Sequence, residues 1–302
     1  GRVRGGSRGA GAGRADGGAR GAGAGRSHGA KRPDPAGRSA PGARVPGRDS
    51  FDQVEGRRAV RELLRAGTRP AFGVTMAVGL RPTPVLDEIR ALAKELGVRV
   101  REVSVEELRD MALTDAPQGV VARAARRAFV EEDALFAPPG GAPFIVALDG
   151  VSDPHNLGAV MRTAESAGAT GLMIPARRAA SITPAATKAA AGAVERLDVA
   201  QVSGLPAALA RAKRANLWVV GLDERAETSV FDLDAGLAEA GIVLVLGSEG
   251  GGLSRLARER CDLLLSIPMH GVIESLNVSA AAAVACFQIA RARASMHPEG
   301  HR

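Results

Sequence analysis

The chain has 302 residues, 45% of them hydrophobic, with a mean hydropathy of +0.00 and a formal net charge of +7. Its longest apolar runs, such as residues 242–246, are far too short to cross a bilayer. Two cysteines, Cys261 and Cys286, make neither a disulfide framework nor a zinc site. A soluble, cytoplasmic protein without membrane or metal is expected, its thiols small apolar residues in a reducing compartment.

Residues 1–50 hold ten Arg and one Lys against three Asp, so the other residues sum to −1. The basic balance belongs to this tail, and charge alone does not argue that the folded body binds nucleic acid. The tail is Gly, Ala and Arg with almost nothing apolar beyond Val3 and Val45. It cannot bury enough surface to offset its ordering entropy and is expected to be disordered. Arg-Gly repeats can lie along phosphates and stack on bases, although a plain solubilising tail fits equally. A transit peptide would need an amphipathic stripe that is missing here.

Order is expected from Phe51. Apolar residues at 59, 60, 63 and 64 have helical spacing, with a strand near 72–77, a helix near 84–96 and a strand near 98–103 to follow. Ser104 and Glu107 read as a capping box for a short helix, and 119–122 as a last strand. Residues 51–130 thus form a small α/β domain, and 131–143, with Pro138-Pro139-Gly140-Gly141, a linker. From 144 to 302 strands alternate with helices: strands near 144–148, 171–174, 197–202, 217–222, 242–246 and 262–267, then a long Ala-rich helix near 275–294. Such alternation predicts a parallel sheet covered on both faces.

Three segments of this second domain carry chemistry. In Asp149-Gly150-Val151-Ser152-Asp153-Pro154-His155-Asn156, a strand gives way to a helix at the carboxyl edge, where parallel sheets gather their sites, and Asn156 stands as the expected N-cap. Arg162 lies two turns into that helix, either snorkelling outward or reaching into a site. In Leu246-Gly247-Ser248-Glu249-Gly250-Gly251-Gly252, an apolar strand enters a glycine-rich turn. The spacing is not a dinucleotide fingerprint, no P-loop Lys is present, and the Glu249 carboxylate argues against phosphate. An oxidoreductase would need a glycine fingerprint after the first strand followed by an acidic residue, which Asp149-Gly150-Val151-Ser152 does not supply. The third segment, Ile267 to Val284, opens the last helix with Ser275 and Asn277, either of which alone could be a plain cap.

Together, in order and spacing, these segments resemble the three signature motifs of the SpoU/TrmH family of RNA 2′-O-ribose methyltransferases, within the SPOUT superfamily. The resemblance covers about residues 51–296. It includes Glu55-Gly56-Arg57-Arg58-Ala59-Val60, Gln118-Gly119-Val120-Val121-Ala122 and Lys188-Ala189-Ala190-Ala191-Gly192, where Ala190 replaces a frequent Ser. It implies a C-terminal parallel-sheet domain with a deep trefoil knot, preceded by a small L30e-like α/β substrate-binding domain. It implies S-adenosyl-L-methionine as cofactor, a homodimer whose active site draws on both subunits, and an RNA substrate. Arg162, Asn156, Glu249, Ser275 and Asn277 match the catalytic positions. Gly247, Ile267 and Leu276 match those whose backbone holds the cofactor. The two-domain layout looks most like the enzymes that methylate a guanosine of 23S ribosomal RNA. The thiostrepton-resistance type, acting on an adenosine, shares that layout. Methylation of transfer RNA is a further reading, as is a non-enzymatic ribosome-assembly protein that binds RNA. Intact Arg162, Glu249, Ser275 and Asn277 argue against the last.

Overall fold

The computed structural model describes residues 51–296 apart from Arg178, Ile273 and Glu274. The expected disorder of the 1–50 tail falls outside the described residues.

The N-terminal domain runs β1 (Phe51–Glu55), α1 (Arg57–Ala66), β2 (Ala71–Ala77), α2 (Pro84–Glu95), β3 (Val100–Val103), α3 (Val105–Met111) and β4 (Val120–Ala125). The sheet order is β1-β4-β2-β3, with β2 and β3 parallel and both contacts of β4 antiparallel. Ala59, Val60, Leu63 and Leu64 of α1 close over Val54, Val74, Met76 and Ala122. Strand β1 was not expected, because Asp, Gln and Glu are poor strand formers. Tertiary partners override that preference. The buried Glu55 carboxylate accepts from the backbone N–H of Leu113 at 2.6 Å and of Thr114 at 3.1 Å. Asp52 accepts from the N–H of Arg127 at 2.9 Å.

The second domain contains β5 (Phe144–Asp149), α5 (Pro154–Ser166), β6 (Gly171–Pro175), α6 (Pro184–Ala189), β7 (Asp198–Val202), α7 (Leu205–Arg214), β8 (Trp218–Leu222), β9 (Thr228–Ser229), α8 (Ala235–Glu239), β10 (Ile242–Gly247), α9 (Arg255–Arg258), β11 (Leu263–Ser266) and α10 (Val278–Met296). The seven-stranded parallel sheet has the order β7-β6-β5-β10-β8-β11-β9. Strands β5 and β10 are buried almost throughout, as strands covered on both faces must be. One core joins their inner residues to α5 and α10 through Leu157, Met161, Ala282 and Ile289. The other joins them to α7 through Leu205, Ala208 and Leu209. Burial pushes the Cys286 thiol up to about 12, and burial with the Asp262 charge does the same to Cys261. Among the described residues no helix is long and apolar enough to cross a membrane.

The stretch expected as a linker is packed. Residues 132–136 form helix α4 (Glu132–Phe136), which buries Leu135, and Arg211 forks onto Glu132. The two domains also share a buried ion cluster. Glu195, 3% exposed, accepts from Arg69 Nε at 3.0 Å and Nη2 at 2.7 Å. Arg69 reaches Asp52 at 2.5 Å and the carbonyl of Ala125 at 2.8 Å. Burial alone would lower its pKa, but Glu195 and Asp52 outweigh that and hold it above the ordinary value. Beside the cluster Gly192, at φ +104°, lies so close that an added Cβ would stand 2.3 Å from Glu62 Cβ. Only glycine allows both that backbone angle and that approach.

Candidate active site

Strands β5 and β10 pair in register from Ile242 opposite Phe144 to Gly247 opposite Asp149, so the ends of the first two motifs lie side by side at the carboxyl edge. Here the turn after β10 folds back on itself. Ser248 donates its N–H to the Gly252 carbonyl at 3.1 Å, and Gly252 returns the bond at 2.9 Å. A Cβ on Gly247 would stand 2.1 Å from the Gly252 carbonyl carbon, so the loop can close only over a glycine. The N–H of Ser254 donates to Asp149 Oδ2 at 2.7 Å and ties the turn to the end of β5.

A cavity of about 610 Å³ opens at this turn, lined on one side by Gly247 to Leu253 and on the other by Ile267, Met269, Ser275, Leu276 and Val278. Its floor is apolar, from Leu222 and Leu246, and Asp223 and Glu249 bring carboxylates to it. Asp223 is buried and paired with Arg258. The size suits a small-molecule site.

At the cavity rim, three motif residues form one hydrogen-bonded cluster. Asn156 Nδ2 donates to Glu249 Oε1 at 2.9 Å. Asn277 Nδ2 donates to the same oxygen and to Asn156 Oδ1, the latter at 3.2 Å. Asn277 Oδ1 meanwhile accepts from the N–H of Ser279 at 2.9 Å, so this side chain both caps α10 and braces the cluster. Helix α10 starts at Val278, three residues later than expected. Ser275 lines the cavity in the loop before it and does not open the helix.

Two expectations are corrected. Asn156 is not the N-cap of α5. Asp153 takes that place, accepting from the N–H of His155 at 2.9 Å, with Pro154 at the first helical position. Asn156 therefore sits inside the first turn, free to project its amide to Glu249. Arg162 does not join the cluster within one chain. It is exposed and lines a second cavity, between the two domains, with Arg58, Arg61 and Arg196. Arg162 and the Gly247–Ile267–Leu276 cradle, expected in an active site that draws on both subunits, line different cavities within a single chain. Sequence reasoning also passed over Asp223 and Asp149. Asp149 stood within the first motif, but nothing marked Asp223, which is brought in by β8 lying next to β10.

The parallel sheet carries the glycine-closed turn and the polar cluster at its carboxyl edge, where α/β folds gather their ligands. Residues 143–287 match the SpoU rRNA Methylase family, and residues 53–130 match the RNA 2′-O ribose methyltransferase substrate binding domain. A protein of Mycolicibacterium gilvum named an uncharacterized tRNA/rRNA methyltransferase is 41% identical over 248 residues, 81% of this chain and 78% of that protein. YacO of Bacillus subtilis, named a putative TrmH family tRNA/rRNA methyltransferase, is 38% identical over 245 residues, 80% of this chain and 96% of that one. The SpoU methyltransferase AviRb of Streptomyces viridochromogenes, solved with AdoMet, superposes with a TM-score of 0.66 at 27% identity, covering 82% of this chain and 92% of that one. The chain belongs to the SpoU/TrmH family of RNA methyltransferases.

Proposed function

We propose that this enzyme transfers a methyl group from S-adenosyl-L-methionine to a ribose 2′-hydroxyl, on a guanosine of 23S ribosomal RNA. The observation that carries the reading is the Asn156–Glu249–Asn277 cluster at the rim of the 610 Å³ cavity. That cavity fits the cofactor. Looped main chain at Gly247, Ile267 and Leu276 offers N–H and carbonyl groups to a purine and an amino acid, and Leu222, Leu246 and Val278 offer apolar walls. Glu249 brings a carboxylate to the cavity, where Asp223 is already paired with Arg258, and AviRb was crystallised with AdoMet.

When bound, the cofactor supplies an electrophilic methyl group on a sulfonium. The remaining work is positioning and proton removal, and positioning can be worth roughly 7–11 kcal/mol. Asn156 and Asn277 fix the Glu249 carboxylate, and Ser275 extends the polar rim toward the ribose. A 2′-hydroxyl attacks only when its proton is drawn away, and an arginine is otherwise locked in its charged form. Arg162, beside a substrate phosphate and kept protonated, orients the hydroxyl and stabilises the developing 2′-oxyanion as its proton passes to solvent. Because Arg162 lines a different cavity from the cradle, this reading requires a homodimer in which one chain's Arg162 serves the other chain's pocket. Phe231 and Phe287, 53% and 52% exposed near α10, support such a covered face. The deep knot of the C-terminal domain belongs to the same proposal.

The test is to supply labelled S-adenosylmethionine with unmethylated ribosomal and transfer RNA and to map the methylated ribose. A guanosine of 23S RNA is expected. A modified adenosine or transfer RNA would change the substrate, and no ribose methylation would end the reading. Mixing Arg162→Ala and Asn277→Ala chains should restore part of the activity that each lacks alone, if the site is shared between subunits.

A further inference from the structure

The second cavity, about 360 Å³, lies at the seam of the two domains and belongs to neither. Its charged lining is Arg58, Arg61 and Glu62 from the N-terminal domain and Arg162, Glu165 and Arg196 from the second. Glu62 is already used. It pairs with Arg61 at 2.7 Å and with Arg196 at 2.8 Å, and Arg196 also lies 4.0 Å from Glu165. Two exposed guanidiniums, those of Arg58 and Arg162, are left without a partner among the described residues. One comes from each domain. Both line one notch that holds four arginines against two carboxylates, and of those two Glu62 is already paired with Arg61 and Arg196.

The notch is also rigid. The close approach of Gly192 to Glu62, and the buried Arg69–Glu195 pair beside it, fix the first domain against the second. Two arginines lining one cavity can meet a single oxyanion, and guanidinium forks match phosphate bidentately.

We propose that this seam is a phosphodiester-binding notch, in which Arg58 and Arg162 clamp one backbone phosphate of the RNA. Arg58 is then a positioning residue. It couples the substrate-binding domain to the residue that acts on the ribose. The inference rests on the proposed function for the identity of the ligand, but not for the notch itself.

The experiment measures binding and turnover separately, using the full chain and an unmethylated 23S RNA transcript, between about 50 and 200 mM salt. A lost charged hydrogen bond of about 1.5 kcal/mol corresponds to roughly tenfold. Arg58→Ala should therefore raise both the Kd and the KM for RNA about tenfold. The slope of log affinity against log salt should fall by about 0.7–0.9, the signature of one lost phosphate contact. Arg58→Lys should keep the slope, and Arg214→Ala on α7, which lines neither cavity, should change nothing. Affinity for S-adenosylmethionine should stay constant, which a general folding defect would not allow. An Arg58→Ala protein with unchanged RNA affinity and salt slope overturns the proposal. If the wild-type protein methylates no RNA, the proposed reaction fails, yet the salt slope of equilibrium binding still decides the notch.

Discussion

Replacing Glu195 by Ala should be among the most damaging single changes in the chain, although Glu195 lies outside the active site. Its carboxylate is almost wholly buried and takes both the Nε and the Nη2 donors of Arg69, whose side chain is 7% exposed. Removing it leaves a buried guanidinium with only Asp52 and one carbonyl. Breaking a buried pair from one side costs about 3–5 kcal/mol. Asp52 remains at 2.5 Å, but its side chain is 36% exposed, so it offsets only part of the loss. The expected destabilisation is about 3 kcal/mol, read from urea unfolding followed by circular dichroism. The double variant Arg69→Met with Glu195→Leu should recover much of this, because buried ion pairs replaced by apolar groups are often neutral. Trypsin should also cut faster after Arg126 and Arg127 in Glu195→Ala, since that segment is held at the joint. A Glu195→Ala protein within about 1 kcal/mol of wild type, or a double variant worse than both singles, would refute the buried joint.

Gly247→Ala would press a methyl group onto the Gly252 carbonyl carbon. Overpacking of about 1–3 kcal/mol should weaken S-adenosylmethionine binding by roughly 10- to 100-fold, measured by titration calorimetry, with the far-ultraviolet spectrum unchanged. Asn277→Ala removes a cap worth about 1 kcal/mol. It also leaves Glu249 held in the cluster by Asn156 alone, so kcat should fall about 100-fold while the melting temperature drops only slightly. For Glu62, burial pushes the pKa up, but the hydrogen bonds and charges of Arg196 and Arg61 outweigh it and hold the carboxyl below its ordinary range. Its contribution is therefore complete above the ordinary carboxylate range and is lost as pH falls through the lowered value. Glu62→Gln should be less stable than wild type at neutral pH, and the difference should vanish in acid. A gap that widens in acid would contradict the pairing.

The sequence made most of this architecture legible because buried parallel strands are unbroken apolar runs and their helices carry regular stripes. Strand β1 was hidden because its fitness for a sheet depends on Arg127, Leu113 and Thr114, far along the chain. Helix α4 was hidden because Pro138-Pro139-Gly140-Gly141 marks a break, while only the partner Arg211 shows that Glu132 is anchored. In the site, Asn156, Glu249 and Asn277 could be chosen as a group through their motifs. No local pattern could say that one oxygen of Glu249 would receive both amides.

The position of Arg162 follows from helix geometry. Six residues separate it from Asn156, a rotation of about 240° net around α5. The buried face of that helix, Leu157, Val160, Met161 and Ala164, fixes its rotation against the sheet. With the rotation fixed, Asn156 is turned toward the Glu249 turn and Arg162 must emerge elsewhere, at the domain seam. The two motif residues cannot serve one pocket from one straight helix in one chain. A helix built this way connects two places instead: the edge where the sheet offers its loops, and the notch where the first domain meets the second. On the proposed reading the ribose and its phosphate are brought to both, which makes the orientation of the first domain part of the catalytic apparatus. On that reading a buried ion pair such as Arg69–Glu195, remote from the reacting atoms, bears on the chemistry as well as on the fold.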